Sequence, residues 1–266
     1  MTSAPVLLDV ADEVATVTLH RPEVRNAISH GLLAALRDTM AEVGERDDVG
    51  AVILTGADPA FCAGLDLKEL SSDTRLLESG DPDVPPWSPW KPLAKPLIGA
   101  VNGPAVTGGL ELALNCDFLV ASDRALFADT HARVGVMPGW GLSVLLPQRV
   151  GLAMARRMSL TGDFVDARRA LEAGLVTEVV PHSELMSTVR GLAATIAGNH
   201  RPAVTALHRS YRRIEAEAIT RSLELEQDAA RAWRKSGRTA GIADRVPGVI
   251  SRGRGQAGSP VAEPGE

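Results

Sequence analysis

The chain has 266 residues, 45% of them hydrophobic and 23% charged, so it can bury a sizeable core, and wholesale disorder is excluded. A net charge of −5 shows no basic face for a nucleic-acid coat, and 3% aromatics argue against base stacking as a main task. Length alone leaves one large domain or two small ones open.

Val14–His20 (VATVTLH) alternates apolar residues with Thr, which predicts a half-buried strand. Ser29 then precedes a helical pattern from His30 to about Arg46, with Leu32, Leu33, Leu36, Met40 and Val43 on one face. Ala51–Thr55 is a short apolar run, as in a strand covered on both sides. This order predicts parallel pairing through a crossover. The stretch Ser71–Pro96, with six prolines after residue 80 beside Trp87 and Trp90, reads as a surface loop or a partly buried lid. Leu97–Val101 reads as a third buried strand, followed by NGPAVTGG and a helix over 110–115. Asp117–Ser122 and Ala125–Ala128 read as short strands. Gly141–Leu160 reads as helix broken near Gly151, Leu175–Val180 as a last strand, and 183–199 and 206–235 as helices. The composition from Ser251 onward, rich in Gly, Ser and Pro, predicts a disordered tail.

Cys62 and Cys116 cannot staple a fold of this size and read as free, buried thiols in a reducing compartment. The first residues lack a basic segment followed by an apolar run. No apolar stretch reaches the roughly 20 residues needed to span a bilayer. The expectation is a cytoplasmic protein with neither membrane nor nucleic acid as partner. The six histidines show no metal-ligand spacing, so no metal is expected. The run Arg201, His208, Arg209, Arg212 and Arg213 reads as a solvated helix face, or as a contact for phosphates from a neighbouring subunit.

Two glycine turns follow buried strands: FCAGLD at 61–66 and NGPAVTGGLELA at 102–113. Both lie where open α/β sheets place ligands, and both lead into helices, whose free N–H groups suit an anion or a developing oxyanion. Either turn alone can be backbone architecture only.

The pair together resembles the crotonase family, also called the enoyl-CoA hydratase/isomerase family. The first turn matches its form F-x-A-G-x-D, and the second its form N-G-x-a-x-G-G-G-x-E-L-A. Further matches are LHRPEVRNA at 19–27, FADTHARVGVMPGWG at 127–141 and LTGDFVDARRALEAGLV at 160–176, so the resemblance spans about residues 5 to 250. It implies an α/β spiral of ββα units over residues 1–180. A C-terminal α-helical trimerisation part follows over 181–250, with a homotrimer or a hexamer as the assembly and a tail over 251–266. It also implies an acyl-CoA or enoyl-CoA substrate of fatty acid metabolism. The thioester oxygen would sit in an oxyanion hole of the Leu65 and Gly108 N–H groups. Val24, Arg25, Ala63, Gly64, Leu65, Asp66 and Lys68 would hold the CoA, which is part of the substrate, so no separate cofactor is implied.

An enolate also needs proton transfer. The first family glutamate matches Glu111, an isolated carboxylate in the apolar stretch TGGLELAL. A buried carboxylate is expected to serve a site, although a charge at a helix start can also be merely favourable. The second family glutamate is replaced by His131, which is either an acid/base partner of Glu111 or a structural histidine. The substitution places hydration in question beside isomerisation, with acyl-CoA binding without turnover and thioester hydrolysis as further alternatives. Thr107, Pro138, Trp140 and Gly141 would line the acyl pocket. Trp140 would reshape it or simply pack in the core. The Thr107 side chain would narrow the site or cap the following helix.

Overall fold

In the computed structural model, residues 4–72, 84–85, 87–238 and 241–257 are described. The chain begins with a strand that composition does not announce, β1 (Val6–Ala11), which pairs antiparallel with β2 (Val14–Leu19). Asp12 and Glu13 turn the hairpin with φ of +50° and +61°, the geometry that matches the twist of the flanking strands. Helix α1 (His30–Glu45) follows, and the Ser29 side chain accepts a hydrogen bond from Leu32 N–H at 3.1 Å. Its five predicted core residues are all buried. Strand β3 (Ala51–Gly56) then pairs parallel with β2, as the strand–helix–strand order requires.

The chain continues through α2 (Leu67–Ser72), β4 (Leu97–Val101), β5 (Ala105–Val106), α3 (Gly108–Leu114), β6 (Phe118–Ser122), β7 (Leu126–Ala128) and α4 (His131–Val134). Beyond these come α5 (Leu142–Thr161), β8 (Val165–Asp166), α6 (Ala167–Glu172), β9 (Glu178–Val180), α7 (Leu185–Ala197), α8 (Arg201–Lys235) and α9 (Ile242–Ala257). Gly151, at φ +74°, interrupts α5 where the break is expected. The main sheet has the order β1-β2-β3-β4-β6-β9 and is parallel from β2 onward. A second sheet has the order β5-β7-β8.

The two sheets advance in step. β4 contributes to the first sheet and β5 to the second, and α3 follows; β6, β7 and α4 repeat the pattern. In the preceding turn, Cys62 bridges Ala105 in parallel between β3 and α2, and one turn earlier Ile28 bridges Leu65. The repeated unit is ββα, stacked as a spiral. Alternation along β3 feeds two cores. Val52 and Leu54 join the main cluster with α1, whereas Ala51 and Ile53 pack with Leu185, Val189 and Ala193 of α7. This is why AVIL reads as uniformly apolar, and why α7 packs directly on the sheet.

Two expectations are corrected. Of the expected tail, residues 251–257 are the end of α9, where Gln256 ties to both Asp163 (2.8 Å) and Arg133 (3.2 Å) across the fold, and residues 258–266 lie outside the described residues. The last strand spans only Glu178–Val180, since Leu175 and Val176 turn into the core before pairing begins. Part of the segment read as a loop or lid, residues 73–83 and 86, lies outside the described residues. At its end Trp90 is buried, and Pro89 accepts a hydrogen bond from Arg37 of α1 at 2.9 Å.

Candidate active site

The two glycine turns meet backbone to backbone. Cys62 N–H donates to Pro104 O at 3.0 Å, and Val106 N–H donates to Cys62 O at 2.9 Å. A Cβ on Gly109 would lie 2.1 Å from Cys62 O, so only glycine permits this approach. The 24–28 segment runs alongside the first turn: Ala63 N–H donates to Arg25 O, Ile28 N–H to Gly64 O and Asp66 N–H to Ile28 O, at 2.8–3.0 Å. These bonds skip two amides. Among the described residues, neither Leu65 N–H nor Gly108 N–H has an acceptor. The two lie close together, since a Cβ on Gly108 would stand 3.7 Å from the Leu65 nitrogen.

One helical turn beyond Gly108, the Glu111 side chain is buried, with 3% of the residue exposed. Its Oε1 accepts from Gly139 N–H at 3.0 Å and Trp140 N–H at 2.7 Å, which orients the carboxylate. Its Oε2 lies 3.6 Å from His131 Nε2. His131 opens α4 and is itself buried; its Nδ1 meets Asp129 Oδ1 at 2.6 Å. Burial opposes charge on the imidazole, but Asp129 and Glu111 on its two sides outweigh this and push its pKa up to about 10. Burial likewise opposes charge on Asp129, and its hydrogen bonds with His131 outweigh that and hold the carboxyl below the usual range.

A second buried carboxylate arrives from far along the chain. Glu226 of α8 accepts from Gly141 N–H at 2.7 Å and from Ser143 N–H at 2.6 Å, the start of α5. Its neighbour Gln227 donates to Gly139 O. Burial, and then the nearby Glu111 charge, raise the Glu226 pKa. The loop 138–143 that holds Glu111 is thus itself held by α8.

Of the residues expected from sequence, the structure brings Leu65, Gly108, Glu111 and His131 into one neighbourhood. Val24, Arg25, Ala63, Gly64 and Asp66 lie along the paired 24–28 and 62–66 segments. Asp66 forms an ion pair with Arg21 at 3.2 Å, and Lys68 is exposed on α2. Thr107 is buried at φ +53°, but its hydroxyl does not cap α3. It bonds Thr130 instead, drawing the second turn toward α4. Pro138 and Gly141 are buried, and Trp140 packs in the main core with 8% of the residue exposed. Sequence reasoning missed Asp129, Glu226 and Gln227. Asp129 had a faint signal, an Asp two residues before His131 in ADTHA. The α8 pair had none, because nothing local relates position 226 to position 111.

Elsewhere, both cysteines are buried, and desolvation raises the Cys62 thiol pKa to about 12. The basic run is not a uniform solvated face: His208 is buried against Asp117 at 3.0 Å, with Arg212 at 3.8 Å from the same carboxylate. A cavity of about 1160 Å³ lies between α8, α5 and residues 85–96, and no site residue lines it. Among the described residues no cluster of His, Cys, Asp or Glu is placed to hold a metal ion, and no helix is long and apolar enough to cross a membrane.

Comparison with known proteins shows the family and the fold. A family model described as enoyl-CoA hydratase/isomerase matches residues 9–241. A protein named "Probable enoyl-CoA hydratase echA8" of Mycobacterium leprae is 36% identical over 222 residues, 82% of each chain. An (E)-benzylidenesuccinyl-CoA hydratase of Thauera aromatica is 39% identical over 199 residues, 73% of this chain and 76% of that one. The crystal structure of an enoyl-CoA hydratase from Mycobacterium smegmatis superimposes with a TM-score of 0.81 at 53% identity, covering 88% of this chain and 100% of the other.

Proposed function

The chain belongs to the enoyl-CoA hydratase/isomerase family, and from that premise we propose that it is an enzyme of this type acting on an acyl-CoA thioester. The observation that carries the reading is the approach of two buried side chains, Glu111 and His131, to 3.6 Å, one helical turn from the Gly108 amide. The Leu65 and Gly108 N–H groups would bind the thioester oxygen and stabilise an enolate as charge develops there. Because the thioester takes up the electron pair, the reaction calls on no separate cofactor.

For a 2-enoyl-CoA, Glu111 would accept a proton from water as the oxygen bonds to Cβ. The π pair would pass to the enolate, and His131 Nε2–H would return a proton to Cα. Transfer from Glu111 back to His131 across the gap between them restores the site. For an isomerisation, the same pair would remove a proton at one carbon and deliver one at another. Hydration therefore does not require a second glutamate. The CoA would lie along Val24, Arg25 and Ala63–Lys68, with Thr107, Pro138, Trp140 and Gly141 at the acyl end.

We also propose that the protein self-associates as a trimer or a dimer of trimers through its C-terminal helices. Leu207, Tyr211, Ile214 and Leu225 recur at helical spacing on α8 and stay exposed in the single chain, beside the 1160 Å³ cavity.

The test is a panel of enoyl-CoA thioesters followed by loss of the conjugated absorbance and by product analysis. Turnover that falls roughly 10²- to 10⁴-fold in Glu111→Gln, with binding retained, is expected. Tight binding without turnover, unchanged by Glu111→Gln, would replace the reading with a non-catalytic acyl-CoA-binding protein. Release of free CoA would replace it with thioester hydrolysis.

A further inference from the structure

We propose that Asp129 is a positioning residue that fixes His131 as a standing proton donor toward Glu111. The inference deepens the reading of Glu111 and His131 as the proton-transfer pair and rests on it. Asp129 follows β7 directly, and its Oδ1 accepts twice from His131: from the backbone N–H at 3.1 Å and from the ring Nδ1 at 2.6 Å. A carboxylate only accepts, so Nδ1 carries a hydrogen. The ring's other nitrogen, Nε2, faces Glu111 Oε2 at 3.6 Å, again an acceptor. Glu111 Oε1 is taken up by the backbone N–H groups of Gly139 and Trp140, which leaves Oε2 turned toward the ring. With an acceptor at each ring nitrogen, the state that satisfies both is the imidazolium. His131 then enters the cycle as the acid and Glu111 as the base, so the pair is a division of labour rather than two interchangeable carboxyls.

The groups around the ring agree with this. From α5 the Ser159 side chain lies toward Asp129 and favours its charged form. From α9, Arg245 donates to Val134 O at the end of α4. From α8, Glu226 faces Glu111 and Gly141, not the imidazole. Asp129 and Glu111 are the charges in contact with the ring, and both are negative. The shift of His131 to about 10 follows from them against the opposing effect of burial. The active imidazolium therefore persists below about pH 10 and is lost as pH rises through that value.

Two readouts on the full-length protein test the proposal. Nitrogen NMR of ¹⁵N-histidine-labelled protein, with His131→Gln for assignment, should show both His131 ring nitrogens protonated at pH 8. In Asp129→Asn the ring should be neutral at that pH. The alkaline limb of kcat on an enoyl-CoA should move down by about three pH units, a loss of roughly a hundredfold near pH 9, while KM changes far less. A His131 that titrates near its ordinary value of 6.5 in the unsubstituted protein would overturn the proposal, and this holds even if Asp129→Asn does not fold. An unchanged alkaline limb in a folded Asp129→Asn would overturn it as well. If no thioester is turned over, the functional reading falls, while the NMR result still decides the state of His131.

Discussion

Thr107 is held at φ +53° and ψ −110°, a region that glycine occupies freely and a β-branched residue does not. Such a conformation costs of order 1–3 kcal/mol. Three bonds offset it: Thr107 N–H donates to Ala128 O, the hydroxyl pairs with the Thr130 hydroxyl, and it accepts from Thr130 N–H at 3.1 Å. The two hydroxyl bonds to Thr130 are together worth about 2 kcal/mol, and glycine adds about 0.5–1 kcal/mol of chain entropy to the unfolded state. These terms nearly cancel the strain, so Thr107→Gly should change stability by no more than about 1 kcal/mol in urea titration. Its effect should appear in the position of the Gly108 amide, as altered KM for the thioester. At the neighbouring pair the same residue-level accounting assigns charge. The 2.6 Å contact to Asp129 favours charge on the His131 ring, which the identity of the residue alone does not.

At the scale of elements, the site depends on how closely a helix start can approach a neighbouring loop. α3 begins against the Cys62 carbonyl, so Gly109→Ala drives a methyl into fixed backbone 2.1 Å away. The expected cost is about 3 kcal/mol or more, read as a large drop in Tm or loss of soluble protein. Gly139 is the control. It lies in the loop that binds Glu111, yet a Cβ there meets nothing within 4 Å. Gly139→Ala keeps its N–H and should unfold within about 0.5 kcal/mol of the unsubstituted chain. A comparable loss in both variants would show that the loop, not the contact with Cys62, sets the tolerance. The same loop explains the long reach of α8: Glu226 and Gln227 close the start of α5, so a distant helix sets the orientation of the Glu111 carboxylate.

At the scale of the whole molecule, two sheets that advance in step leave one face of the spiral to α7 and another to the long α8. α8 carries buried Leu223, Glu226 and Gln227 on one side and exposed Leu207, Tyr211, Ile214 and Leu225 on the other. An amphipathic helix with apolar residues on both sides has a second surface to cover. The paired change Leu207→Glu and Ile214→Glu should therefore reduce the sedimenting mass to that of a single chain, with the helical circular dichroism signal kept. A single-chain mass already present without substitution would remove the basis for self-association.

Hydrophobic period and glycine placement determined much of this protein in sequence alone. Alternation marks β2, the Leu32–Val43 stripe marks α1, and apolar runs mark β3 and β4, because burial on one face or two imposes those patterns directly. The two glycine turns mark where the site lies, since a close backbone approach excludes a side chain. Glu111 and His131 are likewise visible, twenty residues apart. Tertiary structure alone decided the rest. β1 hides in a short segment whose pattern is half exposed, the end of α9 from Ser251 in a composition that reads as disordered, and Glu226 on a helix more than a hundred residues from the carboxylate it faces. The protonation of His131 belongs with these. It depends on which acceptors stand at Nδ1 and Nε2, and folding rather than local propensity places one of them, Glu111, against the ring.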